Sequence, residues 1–216
     1  KSNQCNEHKY ERNIFRNARV EFTYHSAGID ESNPSNSNKI VITENTFDGI
    51  SGPREGRCFY VNLAQTYINV DNNTIQNCPS GGILIKFDFQ SQFSSFQFSK
   101  YRFINNLVDE SSLSSLNICP QIFIKTPIGN DHSNQMDLIF ENCYFENNYN
   151  PKKGGALSYG LNQYNANSKT LFSNCQFIGN KAEEGGSALS LQVNHGCKIS
   201  NCEFIRNKSD FGSGAI

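Results

Sequence analysis

The sequence predicts an all-β fold, a right-handed parallel β-helix (solenoid) of about seven coils with three short strands per coil. Three observations predict it: the composition, an internal repeat, and columns of apolar residues at fixed distances from one position of that repeat. The 216-residue chain contains 30 Asn and 17 Phe, but one Met and no Trp. Because Asn favours turns and Phe favours strands, this composition argues against a helix bundle.

Charge and hydropathy limit the class of function. Lys and Arg total 19 and Asp and Glu total 20, so the net charge of −1 creates no field that would attract nucleic acid. No stretch approaches the roughly 20 apolar residues that cross a bilayer, and the N-terminus lacks an apolar signal-peptide core. We therefore expect no nucleic-acid partner and no membrane span in this segment.

An internal repeat organises the chain. The pattern Asn-Cys-x-Phe begins at Asn142, Asn174 and Asn201, and each copy continues into F-x-x-N and a Gly-rich turn. With the Phe as position 0, the pattern extends to seven anchors that are 27 to 42 residues apart. The anchors are Phe15, Phe47, Ile75, Phe103, Phe145, Phe177 and Phe204.

Almost all residues at positions −7 and −5 before the anchors are apolar, and Cys143, Cys175 and Cys202 stand at −2 of the last three repeats. Because −5 and −2 differ by an odd number, one unbroken strand cannot point all of them inward, which predicts two strands with a bend near −4 and −3. A third strand is predicted after the glycines, with apolar side chains at +12 and +14. The residues are Phe59 and Val61, Leu157 and Tyr159, and Leu189 and Leu191.

Such a repeat is too small to bury its own apolar face, so we expect identical coils to stack about 4.8 Å apart. Seven coils would form a rod of roughly 30 Å. Residues 1–216 are predicted to be a single β-helix domain. The last residues, Gly212 to Ile216, stop inside the repeated motif, which suggests a fragment of a longer repeat protein.

Asparagine recurs at position +3 in the last four repeats, at Asn106, Asn148, Asn180 and Asn207. Inward amides at this turn would bond the same amide one coil above and below, satisfying polar groups that each cost about 1 to 3 kcal/mol when buried unpaired. The alternative is solvent-exposed turn asparagine, chosen for its tolerance of left-handed backbone.

Eight cysteines suit an oxidising compartment. Cys143, Cys175 and Cys202 share position −2, so we expect them to stack inward on three successive coils. Either they pack as free thiols, or two of them form a vertical disulfide, which the coil spacing allows. Cys197 and Cys58 fall at core-like positions, and Cys5, Cys78 and Cys119 have no clear packing role. No spacing suggests zinc, so no metal site or cofactor is predicted.

The motif F-x-x-N followed by G-G-x-[small]-[aliphatic] resembles the repeat of the chlamydial polymorphic membrane proteins and of large protist surface proteins. The resemblance covers roughly Thr43 to Ile216 and is most faithful from Phe145 onward, with Gly154-Gly155-Ala156-Leu157 as its second element. Ile50 and Cys78 replace the Asn of the motif in two earlier repeats. The resemblance implies a pectate-lyase-like β-helix and display at a cell surface.

Two glycosylation sequons begin at Asn72, in a predicted bend, and at Asn207, in the predicted ladder. Asn72 is the accessible candidate for a glycan in a secreted protein. The Asn richness also suggests an AT-rich genome, such as that of a protist. The expected location is extracellular or the cell surface.

Catalysis on a β-helix needs carboxylates clustered on adjacent coils. The outward columns beside the anchors contain no two adjacent acids, and the best remaining cluster, Asp131, His132 and Asp137, reads as a solvated loop. No catalytic residue is therefore assigned.

Insertions between coils are predicted at Asp30 to Asn38, Leu107 to Gln135 and Gly160 to Ser168, largely between the third strand of one coil and the first of the next. Stacking would project them from one side of the rod, where they either bind partners or are neutral decoration. The leading hypothesis is a non-catalytic structural or adhesive module that binds other protein chains or surface glycans, or assembles end to end or laterally. The alternative is a carbohydrate-active lyase or hydrolase.

Overall fold

The structure, a computed structural model, describes most of the chain. The residues described are 7–17, 20–23, 38–50, 59–63, 66–79, 83–87, 93–107, 122–125, 135–160, 169–192 and 196–216.

These residues form 23 strands and no helix. The first eleven are β1 (Glu7–Glu11), β2 (Ile14–Arg16), β3 (Val20–Thr23), β4 (Asn38–Thr43), β5 (Thr46–Asp48), β6 (Phe59–Leu63), β7 (Thr66–Asp71), β8 (Thr74–Gln76), β9 (Ile83–Phe87), β10 (Phe93–Ser99) and β11 (Arg102–Ile104). The other twelve are β12 (Ile122–Lys125), β13 (Gln135–Glu141), β14 (Tyr144–Glu146), β15 (Tyr149–Asn150), β16 (Leu157–Gly160), β17 (Lys169–Ser173), β18 (Gln176–Ile178), β19 (Lys181–Ala182), β20 (Leu189–Gln192), β21 (Cys197–Ser200), β22 (Glu203–Ile205) and β23 (Lys208–Ser209).

Two seven-stranded parallel sheets contain one strand from every repeat. The first sheet has the order β1-β4-β7-β10-β13-β17-β21, and the second has the order β2-β5-β8-β11-β14-β18-β22. The chain passes from the first sheet to the second and returns to the first one strand further along. The described chain is therefore all-β, with parallel strands stacked coil on coil as in a β-helix or solenoid.

In chain order, the strands of two smaller parallel sheets follow the second-sheet strands and precede the return to the first sheet. One has the order β12-β9-β6-β3, and the other pairs β16 with β20. The third strands predicted from positions +12 and +14 are β6, β16 and β20. The structure adds a short strand directly after the second-sheet strand in each of the last three coils, where β15, β19 and β23 pair in parallel. Asn150 and Ala182 of these strands are buried.

The anchor residues stand in one column along the second sheet. Every anchor pairs in register with the anchor of the next coil. The rings of Phe145 and Phe177 are stacked with centroids 4.7 Å apart, and Phe103 and Phe204 continue the stack at 5.0 and 4.9 Å. This spacing follows from the distance between neighbouring strands, so each inward ring packs on the ring of the next coil.

Every coil turns at two residues with left-handed backbone, on either side of its second-sheet strand. Their φ values are 50° to 64°. At position −3 they are Arg12, Glu44, Asn72, Lys100, Asn142, Asn174 and Asn201, and at +2 they are Asn17, Gly49, Asn77, Asn105, Asn147, Gly179 and Arg206. One such residue at −3 reverses the inward and outward alternation, so that positions −5 and −2 both face the interior. Asn tolerates this conformation better than most residues, which explains part of its abundance.

The Gly-Gly-Ala turn is required by close backbone approach. A Cβ at Gly155 would lie 2.4 Å from the carbonyl oxygens of Lys181 and Ser187 on the next coil. Gly154 has a φ of 69°, and a Cβ there would lie 2.3 Å from the carbonyl oxygen of Leu157. The second motif of the repeat therefore permits the close approach of successive coils at this turn.

The segment from Leu107 to Gln135 is divided by β12, whose position the repeat did not predict. Ile122 pairs with Ile83 of β9, so β12 is the third strand of the fourth coil. Residues 108–121 thus precede that third strand and only residues 126–134 follow it. The expectation that the insertion lies largely between the third strand and the first strand of the next coil is wrong for this coil. The pairing of β12 with β9 shows that more of the intervening residues precede the third strand than follow it.

Candidate functional site

The asparagines at position +3 form a hydrogen-bonded column inside the bend that follows the second sheet. Nδ2 of each donates to Oδ1 of the next, over 3.0 Å from Asn106 to Asn148, 2.9 Å to Asn180 and 3.0 Å to Asn207. The same Oδ1 atoms accept backbone N–H groups at 3.0 to 3.2 Å. The first three side chains are buried and Asn207 is half-buried. The structure therefore places these four residues as a ladder of satisfied amides.

A second amide ladder lies at position −2 of the first three coils, and the sequence interpretation missed it. Asn13 Nδ2 donates to Asn45 Oδ1, and Asn45 Nδ2 to Asn73 Oδ1, both over 3.0 Å. Backbone N–H groups of Asn13 and Asn45 donate to the same oxygens at 2.9 Å. Asn recurs at −2 in the first three repeats, and this recurrence is the sequence signal for the ladder.

The two bends that flank the second-sheet strand exchange their residue types between the third and the fourth coil. Position −2 carries amides in the first three coils and Tyr101 followed by cysteines in the last four. Position +3 carries Ile50 and Cys78 in the second and third coils and amides in the last four. Each coil from the second to the seventh thus holds an amide at one bend and an apolar, aromatic or thiol side chain at the other.

The three cysteines at position −2 occupy the place that amides occupy in the earlier coils. Cys143 Sγ lies 3.4 Å from the carbonyl oxygens of Glu141 and Phe98, either of which can accept its S–H, and Cys175 repeats the pattern one coil further. Asn73 Nδ2 donates to the carbonyls at the equivalent positions, at 2.8 and 2.7 Å. A thiol carries one hydrogen and donates to only one of these two carbonyls at a time, whereas the two hydrogens of an amide satisfy both.

Cys143, Cys175 and Cys202 are free thiols in the structure. Cys143 and Cys175 are buried and Cys202 is half-buried. Burial raises the pKa of Cys143 well above its usual range. The hydrogen bond with Cys143 lowers the pKa of Cys175, while burial raises that of Cys202.

The other cysteines do not join this column. Cys78, for which the sequence offered no packing role, is buried at position +3, and its backbone N–H donates to Asn106 Oδ1. Cys197 was expected in the core but is exposed, because it lies in β21, an edge strand of the first sheet. Cys5, Cys58 and Cys119 lie outside the described residues.

Outward-facing side chains form pairs between successive coils. The ion pairs are Arg12 with Glu44 at 3.0 Å, Lys152 with Glu184 at 2.7 Å, and Lys181 with Asp210 at 2.9 Å. Arg102 lies over the ring of Tyr144, 5.6 Å from its centroid, and Gln176 Nε2 donates to Glu203 Oε2 at 3.0 Å. These pairs are exposed and screened by water, so they only supplement the contacts of the interior columns.

The described ranges contain one member of the candidate acidic cluster. Asp137 is half-buried in β13, while Asp131 and His132 lie outside those ranges. No group of three or more His, Cys, Asp or Glu side chains that could hold a metal ion occurs in the part of the chain that the structure describes.

The two sequons fall in different environments. Asn72 is exposed at a left-handed bend, where a glycan would project into solvent. Asn207 is half-buried, and its Nδ2 donates to the carbonyl of Phe177 at 2.8 Å. Within the three predicted insertions, residues 30–37, 108–121, 126–134 and 161–168 lie outside the described residues.

Comparison with models of known families, with curated proteins and with solved structures found no significant match. Among the described residues, no helix has the length and apolar character needed to span a membrane.

Proposed function

We propose that the chain is a non-catalytic structural or adhesive module that presents loops on a rigid, right-handed parallel β-helix within a larger extracellular or cell-surface protein. The observation that carries the proposal is the interior of the coils. Inward rings, amides and thiols contact the same position of the next coil, as Phe145 and Asn148 do with Phe177 and Asn180. Each coil therefore packs in register on the next one, and these repeated contacts make the rod stiff.

Right-handedness of the coil is part of this proposal. Each coil leaves a strand of the first sheet, crosses the second and third sides, and returns to a parallel neighbour in the first sheet. Crossovers between parallel strands of one sheet are right-handed in about 98% of cases, because of the right-handed twist of strands. A crystal structure that showed left-handed coils would overturn this part.

The proposed surface location rests on the resemblance of the F-x-x-N and Gly-Gly-Ala-Leu motifs to those of polymorphic membrane proteins. The contacts give both motifs a stacking role: Asn148 belongs to the amide ladder, and Gly155 permits the close approach of the next coil. The motifs therefore support a fold used for display. The partners that we propose are other protein chains or surface glycans, bound through the loops, with lateral or end-to-end assembly of rods.

A panel of cell-surface glycans and acidic polysaccharides tests the proposal. We expect saturable binding to at least one immobilised glycan, with no time-dependent release of reducing ends or unsaturated products. Replacing residues 161–168 by the shorter connector 193–195 should weaken binding while the unfolding midpoint stays unchanged. Glu44→Gln, on an outward bend, is the matched control and should bind as the original chain does.

Two outcomes would contradict the proposal. Product formation on any polysaccharide would establish an enzyme of the lyase or hydrolase class. Binding that survives replacement of every inserted segment would place recognition on the rod itself and refute the role of the loops.

A further inference from the structure

The cysteine column joins three neighbouring backbones of the stack. The backbone N–H of Gln176 donates to the carbonyl of Cys143, and that of Glu203 donates to the carbonyl of Cys175, both over 2.9 Å. The backbone N–H of Cys175 also donates to Cys202 Sγ at 3.4 Å. Neighbouring cysteines therefore stand one strand spacing apart, about 4.8 Å.

This spacing suits a covalent bond between coils. Cα atoms joined by a disulfide are about 4.4 to 6.8 Å apart. Cys175 has a thiol neighbour on both sides, whereas Cys143 and Cys202 each have one within the described coils. Cys78 stacks between Ile50 and Asn106, and Cys197 pairs with Thr170, so neither has an adjacent thiol in its column.

We propose that Cys143, Cys175 and Cys202 form a redox modification site, in which a small aliphatic disulfide oxidises two adjacent thiols to one bond between coils. Cys175 is the shared partner: it bonds either to Cys143 or to Cys202, never to both. The bond ties two coils that are otherwise held by hydrogen bonds and packing.

The chemistry is a two-electron thiol–disulfide exchange. The thiolate of Cys202, the half-buried member, attacks the small disulfide and expels one small thiolate, leaving a mixed disulfide. The Cys175 thiolate then attacks Cys202 Sγ and expels the second small thiolate. Two protein thiols are oxidised to one disulfide, and the reagent is reduced to two small thiols that take up the two protons.

The third thiol makes the bond movable. A Cys143 thiolate that attacks Sγ of Cys175 forms the Cys143–Cys175 bond and releases Cys202 as a thiolate. No electron leaves the column in this step. Cys175 is suited to the central role because it has a thiol neighbour on each side, Cys143 on one coil and Cys202 on the other.

Peptide mapping tests the proposal on the intact chain. The protein is oxidised with hydroxyethyl disulfide, its remaining thiols are blocked with N-ethylmaleimide in denaturant, and it is digested with trypsin without reduction. Trypsin separates the thiols, because residues 126–152 carry Cys143, 170–181 carry Cys175, 182–198 carry Cys197 and 199–206 carry Cys202. We expect peptide 170–181 linked to either 126–152 or 199–206, and peptide 182–198 without a link to any of them.

Serine variants assign the shared partner. Cys143→Ser should leave only the link between 170–181 and 199–206, and Cys202→Ser only the link between 126–152 and 170–181. Cys175→Ser should abolish both, while Cys197→Ser, the exposed control, should leave the map unchanged. Oxidation of the original chain should also raise its thermal midpoint by about 5 to 10 °C.

Peptide mapping of the original chain tests the proposal even if a serine variant does not fold. A mixed disulfide that persists on Cys202 without any link to Cys175 would overturn the proposal. So would a dominant link between Cys202 and the neighbouring, exposed Cys197, or a direct link between Cys143 and Cys202 that bypasses Cys175.

Discussion

At the scale of the residue, Asn148 shows how one buried amide can be fully satisfied by stacking. Its Nδ2 donates to the carbonyl of Phe103 at 3.0 Å and to Asn180 Oδ1 at 2.9 Å. Its Oδ1 accepts from the backbone N–H and the Nδ2 of Asn106 at 3.2 and 3.0 Å. Since the side chain is buried, none of these groups has water as a substitute partner.

Asn148→Ala should therefore lower the free energy of unfolding by about 3 to 5 kcal/mol, because several buried donors and acceptors would lose partners together. Equilibrium denaturation in urea measures the change. Asn69→Ala, at an exposed outward position of the first sheet, is the control and should cost about 0.5 kcal/mol or less. Equal effects of the two substitutions would show that the ladder does not stabilise the coils.

Phe145→Ala should lower the free energy of unfolding by about 3 to 5 kcal/mol, because the ring is buried between those of Phe103 and Phe177 and leaves a cavity when removed. The same denaturation experiment applies. Phe211→Ala is the control, since that ring is 74% exposed and its loss should change stability by about 0.5 kcal/mol or less. A small effect at Phe145 would contradict the stacked column.

At the scale of the element, each second-sheet strand is short because left-handed residues stand at both ends. β14 spans Tyr144–Glu146 between Asn142 and Asn147, whose φ values are 54° and 51°. The strand direction and the inward alternation are thus set by the bends rather than by strand length. The third strands depend in turn on the glycine turns, such as Gly155, that precede them.

Asn142→Val should destabilise the chain by about 1 to 2 kcal/mol or more, because β-branched residues fit left-handed backbone poorly, whereas Asn142→Gly should be close to neutral. Unfolding midpoints of both variants test the difference. Ser173→Val, in the extended strand β17, controls for the added apolar surface and should not destabilise the chain.

Gly155→Ala should destabilise the chain by about 1 to 3 kcal/mol or more, because the new methyl group would meet two carbonyl oxygens at 2.4 Å. Gly196→Ala is a close control, since a Cβ at that glycine meets no heavy atom within 4 Å. Thermal unfolding followed by far-ultraviolet circular dichroism compares the two. Equal midpoints would mean that the coils are not packed as closely at this turn as the structure shows.

At the scale of the whole molecule, stability comes from contacts between neighbouring coils. Both long sheets run through all seven coils, and the stacked columns at positions 0, −2 and +3 follow the same direction. A solenoid of this kind gains stability roughly as the sum of its repeats and the interfaces between them. Coils should therefore be removable as units, provided that the register is kept.

Deletion of residues 146–177 removes one full coil and joins Phe145 to Ile178, so the Phe and Asn columns remain continuous. We expect a folded chain with a lower free energy of unfolding. Deletion of residues 146–161 removes about half a coil and should prevent folding, because inward residues would face solvent. Circular dichroism and urea denaturation distinguish the two, and equal behaviour would contradict a stack of equivalent coils.

Local pattern was sufficient for the all-β class and for parallel strands stacked in repeats, and the structure confirms both. The reason is that the period of Phe at position 0 and Asn at +3 is the length of one coil. The repeat therefore indicates which side chains share a column. The loops proposed to bind partners lie outside the described residues, so this part of the candidate site stays a prediction.

Other features of the fold could not be predicted without knowing the register between coils. The ladder from Asn13 to Asn73, the burial of Cys78 and the place of β12 each depend on which residues occupy the same position one coil away, 28 to 39 residues along the chain. The same holds for the thiol column, where the hydrogen bond with Cys143 lowers the pKa of Cys175. Side-chain hydrogen bonds act over about 3 Å, so only the stacking of distant segments can reveal them.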